Sequence, residues 1–194
     1  MSIPPLLFSG KYLLKIRETP IAIVSDHGYI KLRDTALFKG EDAIMELTRV
    51  TQDELEMILF RHEQWTKGAG EGVRADFSGI DLSGFDLSGV RLCGANLAFA
   101  RLCGASLIGA NLARASFIGA DLSHARLTEA DFYRANLYRA FFVNADLTGA
   151  QLNCAKLAHA SFAGADLTRA DLTDANLTGA DFTNATWIDG IRKA

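Results

Sequence analysis

The chain has 194 residues, of which 49% are hydrophobic and only three are proline, a composition typical of a folded protein. Its formal net charge of −3 argues against a nucleic-acid-binding surface. It contains no apolar run of about 18 residues and no basic n-region at its start, so we expect neither a membrane span nor a signal peptide. Three cysteines are too few for a disulfide framework, which favours a reducing cytoplasm.

Residues 1–72 carry no repeat, and their pattern indicates a small α+β module. Short strands are predicted at 12–16, 21–25 and 29–33, a turn at 26–28 and a helix at 41–49. A second helix is expected to start at Thr51, because Glu54 completes a capping box there. Its apolar face would carry Leu55, Ile58, Leu59, His62 and Trp65, and the glycine-rich segment 67–72 would end it.

From residue 75 onward the chain repeats every five residues without an insertion. The central residue of each pentad, position i, is Leu or Phe from 77 to 182 and Trp at 187, which gives 23 pentads. Position i−2 is Ala in 20 of them, position i−1 is most often Asp or Asn, and the rest are mostly small or polar. Domain boundaries of 1–72 and 73–194 follow from this change of pattern.

A period of five fits neither a helix nor a flat strand. On a helix five residues turn through about 500°, so the Leu residues would spiral around it. On a strand an odd period would place successive Leu residues on opposite faces. Positions i−2 and i point the same way on extended backbone, so one bend per pentad lets every Leu face a shared interior. The predicted fold is therefore an all-β solenoid.

The pattern resembles the pentapeptide-repeat family, whose motif A-(D/N)-L-x-x occurs here at 145–147, 165–167 and 175–177. The resemblance implies a right-handed quadrilateral β-helix with four pentads per coil. Phe142, Phe162 and Phe182 recur at an interval of 20 and would then stack in one interior column. The three exceptions to Ala at i−2 are Ile80, Phe85 and Val90. They share the first coil, so we expect them to pack against the second helix and residues 1–72 to cap the open end.

The sequence contains no convincing catalytic or metal constellation. With four sides per coil, the three cysteines lie too far apart to bridge, and His124 and His159 point to solvent on different sides. His62 is expected to be a packed core histidine, and no cofactor is predicted. Aspartates at i−1 suit turns, and some are expected to form exposed ion-pair ladders with arginines, as in the column Asp81–Arg101. A column of Thr at 128, 148 and 168 is too short to indicate an ice-binding face.

The family resemblance also suggests an alternative function, because some members bind bacterial type II topoisomerases such as DNA gyrase as mimics of DNA. Residues 73–194 hold 11 Lys and Arg against 12 Asp and Glu, so this rod is a poor electrostatic mimic of a duplex. An enzyme in the N-terminal module is a weaker alternative. At the C-terminal end, Trp187 would cover the core, or the end would pair with a second copy in a homodimer.

One stretch of the solenoid, 130–147, carries bulky residues at outward positions that elsewhere are small. We predict a protein-binding band composed of Phe99, Arg114, Ile118, Tyr133, Arg134, Tyr138, Arg139, Phe141 and Val143. Scattered surface apolar residues are normal, so chance or self-association is the competing interpretation. The sequence thus predicts a non-enzymatic interaction scaffold whose partner is a protein, with no direct binding to nucleic acid or membrane.

Overall fold

The computed structural model describes residues 22–24, 29–32, 49–70 and 72–187. Its regular elements are the strands β1 (Ala22–Val24), β2 (Tyr29–Leu32) and β3 (Arg74–Ala75) and the helix α1 (Gln52–Thr66). Strands β1 and β2 lie within the segments predicted as strands at 21–25 and 29–33. The predicted strand at 12–16, the turn at 26–28 and helix residues 41–48 lie outside the described residues.

The pentads form a ladder in which each residue at i−1 bridges, in parallel, the residue 20 positions later. The bridges run from Asp76↔Asn96 to Asp166↔Thr186 without a break. Twenty residues therefore complete one coil, which confirms the expected four pentads per coil. We label the four sides A to D, with central residues 77, 82, 87 and 92 in the first coil and an increment of 20 in each later coil.

Every corner of a coil is a tight turn closed by a hydrogen bond from the backbone N–H of i+3 to the carbonyl of i. In the pentad centred on Leu137, the Ala140 N–H donates to the Leu137 carbonyl at 3.0 Å. Position i+2 has a positive φ from Gly79 to Asn184, within 55° to 72°. A positive φ at the third residue is what a type II turn requires, so the bend that resets the side-chain parity lies at i+2.

The interior is a continuous column of Leu and Phe flanked by Ala. Residues at i are fully buried from Phe77 to Leu167, and neighbouring coils are joined by backbone hydrogen bonds. Phe142 stacks on Phe162 with ring centroids 4.8 Å apart, and Phe162 on Phe182 at 4.9 Å, which confirms the predicted column. These spacings match the distance of about 4.8 Å between paired strands. The ring of Trp187 lies edge-on to Phe182 at 4.4 Å.

Aspartate and asparagine at i−1 fold back onto their own turn. Their Oδ1 atoms accept the backbone N–H of i+1, as in Asp76 with Ser78 at 2.9 Å and Asp171 with Thr173 at 2.9 Å. The hydrogen bonds from the Thr173 side chain and backbone hold the pKa of Asp171 below its ordinary value. The strong preference for Asp and Asn at i−1 is therefore explained by this local turn.

Helix α1 packs against the first coil. Thr51 is its N-cap, and reciprocal bonds between Thr51 and Glu54 form the predicted capping box. Leu55 and Ile58 of α1 are buried in the core cluster that also contains Ile80, and Phe85 and Val90 are partly buried against that cluster. Arg49, expected to end a helix, instead forms a parallel bridge with Asp81.

Two backbone segments extend the ladder beyond the first coil. Strand β2 pairs in parallel with β3, with Ile30 opposite Ala75, and antiparallel with β1. Arg49 takes the equivalent place next to side B through its bridge with Asp81.

His62 joins α1 to the first coil. It is fully buried, stacks on Trp65 with centroids 5.3 Å apart, and accepts the Ala75 N–H through Nδ1 at 3.0 Å. Its Nε2 makes no hydrogen bond of good geometry within the described part of the chain, although the Cys93 carbonyl lies close by. Burial lowers the pKa of His62; the carbonyl opposes this shift and the Arg74 charge adds to it.

Candidate protein-binding surface

The nine residues of the predicted band lie on three sides of the rod. Side A carries Phe99, Ile118, Tyr138 and Arg139. Side D carries Arg114, Tyr133 and Arg134, and side B carries Phe141 and Val143. Phe99 has 66% of its surface exposed, Phe141 48% and Tyr138 36%. The five exposed large hydrophobic side chains of the described residues include these three, and the other two belong to α1. Exposed apolar surface on the solenoid is thus concentrated in the band.

Side A presents the longest contiguous part of the band. The ring of Phe99 lies over the backbone of Gly119 in the next coil, where an added Cβ would fall 2.8 Å from two ring carbons. The backbone of Phe99 also donates to the Ile118 carbonyl at 2.8 Å, and Gly119 donates to Tyr138 at 2.9 Å. The Tyr138 ring then meets His159 edge-on at 5.8 Å. We call the residues Phe99, Ile118, Tyr138 and His159, which come from four successive coils of side A, the strip. Side-chain contacts between coils are found at its two ends, Phe99 over Gly119 and Tyr138 against His159.

His159 is not part of the predicted band, because an isolated outward histidine suggests no contact. The repeat could have indicated the contact, because His159 lies 20 residues after Arg139 and is therefore one coil further along side A. The imidazole is exposed and covers Gly179 in the following coil, where an added Cβ would fall 2.7 Å from Nδ1. The strip on side A thus continues one coil beyond the predicted band.

Two consecutive turns carry the same Tyr–Arg pair. The guanidinium carbon of Arg134 lies 5.0 Å from the centroid of the Tyr133 ring, and that of Arg139 lies 5.2 Å from the Tyr138 ring. Both arginines occupy position i+2, with φ of 55° and 56°. The turn geometry and the ring contact together hold each cation beside an aromatic surface at neighbouring corners of one coil.

Phe141 and Val143 continue the band around the next corner onto side B. Phe141 bridges Asp121 through its backbone, and its side chain is half exposed. Val143 is half-buried, and its carbonyl accepts the His124 N–H at 2.9 Å. Arg114 is exposed one coil before Arg134 in the same column, as predicted. The structure thus places these three residues on sides B and D, which flank side A.

The expected ion-pair ladders are not formed in the described residues. The one ion pair found there joins Glu63 of α1 to Lys67, the residue that caps the C-terminus of the helix, at 2.9 Å. Arg101 lies near enough to Asp81 to lower its pKa only as a minor effect, behind the hydrogen bonds from Ser83. The backbone N–H two residues away is a nearer donor than any arginine one coil away, so the carboxylates bond within their own turns.

The described residues contain no group of three or more His, Cys, Asp or Glu side chains arranged to hold a metal ion. Cys93, Cys103 and Cys154 are free thiols. Over the same residues, no helix has the length and apolarity needed to cross a membrane.

Comparison with known proteins identifies the class. The sequence profile of pentapeptide repeats matches eight copies between residues 73 and 186, more than half of the chain. The chain belongs to the pentapeptide-repeat family, and the solved structures of that family are right-handed quadrilateral β-helices. No curated protein matches the sequence.

Among solved structures, a pentapeptide-repeat protein of the cyanobacterium Cyanothece is 24% identical, with a TM-score of 0.59 over 69% of this chain and 99% of its own; it supports the fold. A pentapeptide-repeat protein of the Arabidopsis thaliana thylakoid lumen is 38% identical over 51% of this chain and 69% of its own, with a TM-score of 0.49. The plasmid-mediated fluoroquinolone resistance protein QnrB1 is 20% identical over 60% of this chain and 66% of its own. Its TM-score of 0.26 supports no functional argument.

Proposed function

We propose that the protein is a non-enzymatic scaffold that binds another protein through the band on sides D, A and B of its solenoid. The observation that carries the proposal is the concentration of exposed aromatic side chains in one strip, next to two Tyr–Arg pairs. Tyr and Arg are enriched at the centres of protein interfaces, where they combine large contact area with directed polar contacts. Outward positions elsewhere on the solenoid are mostly small or polar.

The interior supports the same proposal. Phe132, Leu137 and Phe142 keep the repeat pattern and are fully buried, although the residues between them are unusual. Because the core is unchanged in this stretch, the bulky outward residues do not serve the fold. We propose that these bulky outward residues are present because they bind a partner protein.

A capping role for the N-terminal segments belongs to this proposal. The first coil would otherwise present an open ladder and an apolar interior to water. Strand β2 pairs beyond β3 on side A, Arg49 bridges Asp81 on side B, and α1 covers the interior with Leu55 and Ile58. We accordingly propose 1–72 as a capping unit and 73–194 as the binding solenoid, acting in the cytoplasm.

The charge distribution does not favour the alternative of a gyrase modulator that mimics DNA. Acidic residues on sides B and C are interspersed with Arg101, Arg126 and Arg169, and many of the carboxylates bond to their own turns. A mimic of duplex DNA needs a dense, continuous negative surface. A supercoiling assay with purified gyrase, with and without a quinolone, distinguishes this alternative: we expect no effect of the protein in either condition.

Site-specific photo-crosslinking in the native host tests the scaffold proposal. A photoreactive amino acid at position 138 lies within the strip, and one at position 148 occupies the same place in the repeat on the opposite side of the rod. We expect a discrete crosslinked adduct from position 138 and none from position 148. Equal labelling from both positions, or no adduct from position 138, would refute a dedicated binding surface. The same gel shows whether the adduct is a second copy of this chain, as in a homodimer.

A further inference from the structure

We propose that the two Tyr–Arg turns bind the carboxylates of an acidic peptide segment, while its apolar side chains lie along Phe99, Ile118 and Tyr138. This inference rests on the scaffold function and specifies the chemistry of its partner. It concerns the guanidinium groups of Arg134 and Arg139, which the fold itself does not use.

The two guanidinium groups lack an acidic partner in the described part of the protein. The one ion pair found there joins Glu63 to Lys67 at the C-terminal end of α1, so neither Arg134 nor Arg139 has a carboxylate within 4.0 Å. The nearest candidate in the sequence is Asp131, whose Oδ1 already accepts the Tyr133 N–H at 2.8 Å. A guanidinium presents donors in a planar fork that matches a carboxylate in two parallel hydrogen bonds. These arginines are therefore available to an external anion.

The backbone fixes the direction of these cations. Both arginines adopt a positive φ, which costs a residue with a side chain roughly 1–2 kcal/mol relative to the usual conformation. Glycine occupies the same position in ten pentads between Gly79 and Gly179 and avoids this strain. Each arginine also packs over the ring of the preceding tyrosine. The turn thus sets the direction in which each arginine side chain leaves the backbone, and the ring contact favours a guanidinium position beside the tyrosine, which lowers the entropy cost of binding.

The charge of side A matches an acidic partner. After the first coil, this side carries Arg139 and Lys156 and no Asp or Glu as far as residue 180. The neighbouring sides carry acidic residues, Asp121 on side B and Asp131 on side D. A positive, aromatic surface bounded by acidic ones favours a short anionic segment that stays on side A, between the two corners that hold Arg134 and Arg139.

The size of the strip indicates a peptide rather than a long polyanion. From Phe99 to His159 it spans three coil spacings, about 14 Å, which is the length of about four residues of extended chain. A nucleic acid duplex would continue beyond the strip and meet the carboxylates of the neighbouring sides, where repulsion disfavours it.

A binding assay with defined probes tests this inference. The probe is a short fluorescent peptide in which Asp and Glu alternate with Leu and Phe, and its neutral counterpart has Asn and Gln instead. We expect anisotropy measurements to show binding of the acidic peptide that weakens at high salt. The double variant Arg134→Gln with Arg139→Gln should lose about tenfold or more in affinity.

The matched control is Arg101→Gln with Arg169→Gln, which removes the same charge from sides B and C and should leave the affinity unchanged. Thermal melts of both variants check that the fold is retained. The inference is overturned if the acidic peptide does not bind, if the neutral peptide binds equally well, or if both double variants lose affinity alike. Tighter binding of duplex DNA or of phosphatidylserine vesicles through the same arginines would also overturn it.

The outcomes separate this inference from the scaffold proposal. If position 138 crosslinks a protein but the peptide assay fails, the scaffold function stands and the acidic partner is wrong. If position 138 gives no adduct, the scaffold proposal itself fails.

Discussion

Position i+2 shows how a backbone angle governs which side chains the solenoid displays. All of these positions from Gly79 to Asn184 have a positive φ, yet twelve carry a side chain. Phe99, Arg134 and Arg139 are among them and point away from the core. Glycine would avoid the strain at each of these sites, so these three side chains occupy the i+2 position against a local preference.

The contact between Phe99 and Gly119 can be tested with a pair of glycine substitutions. Gly119 and Gly109 share a φ of 62°, but an added Cβ meets the Phe99 ring at Gly119 and nothing within 4 Å at Gly109. We expect Gly109→Ala and Gly119→Ala to lower the free energy of unfolding by similar amounts, about 1–2 kcal/mol each. The Phe99 ring is exposed and moves aside at little cost.

Binding should distinguish the two variants. Displacing Phe99 alters the strip, so Gly119→Ala should lower the affinity for the acidic peptide. Gly109→Ala should leave that affinity unchanged. Urea unfolding measures the free energy of unfolding of each variant, and fluorescence anisotropy measures its affinity for the peptide. Equal affinities for the two variants would show that Phe99 makes no contribution to binding.

Substitution of the central leucine next to Tyr138 tests how much the interior contributes to stability within the band. Leu137 is fully buried, and Leu137→Ala removes apolar contacts and leaves a cavity, which costs about 2–5 kcal/mol of unfolding free energy. Its exposed neighbour serves as the control: Tyr138→Ala should cost only about 0.5 kcal/mol. Denaturant unfolding of both variants makes the comparison. A cost at Tyr138 as large as that at Leu137 would mean that the strip is structural.

At the scale of elements, the junction between α1 and the first coil depends on a neutral histidine. Protonated His62 would place a second donor against the Ala75 N–H, in a buried site next to the Arg74 charge. Its pKa is lowered in the folded state, so the unfolded chain binds more protons between the folded value and the ordinary value of about 6.5. Stability should therefore fall as the pH falls through this window.

Measurements of unfolding free energy at pH 7.5 and pH 5.5 check this prediction. His62→Asn keeps an acceptor near the Ala75 N–H but does not titrate, so its stability should change less between the two pH values. If His62→Asn retains the full dependence, another group is responsible.

The elements differ in how far the sequence predicts them. The solenoid follows from the period of five, because one bend per pentad is the arrangement that lets Leu97, Phe117 and their equivalents share an interior. Helix α1 follows from the Thr51–Glu54 capping box. The bridge of Arg49 to Asp81 could not be predicted, since it depends on a tertiary contact with the first coil rather than on the local preference of 41–49.

The candidate surface was predicted in composition but not in geometry. The excess of bulky outward residues identifies the band, and the interval of 20 residues places Phe99, Ile118 and Tyr138 on one side. The overlap of Phe99 with Gly119 and the contact of Tyr138 with His159 depend on side-chain rotamers, which a repeat pattern does not specify. The same limit explains the incorrect ion-pair ladders, because charge columns alone do not reveal the nearer backbone donors.

For the molecule as a whole, the solenoid separates stability from recognition. Each coil contacts only its neighbours, and its interior is formed by i−2 and i, so outward positions can change without altering the core. The band uses this freedom: it changes i−1, i+1 and i+2 while Phe132, Leu137 and Phe142 remain buried. The central claim of our account is that these outward changes serve binding alone.

The double variant Tyr138→Ala with Phe141→Ser tests this claim most directly, by thermal melting and by binding in parallel. Our account predicts a melting temperature close to that of the parent, because both side chains are exposed. It also predicts that the protein loses its binding to the partner and to the acidic peptide. A large fall in melting temperature with unchanged association would contradict it.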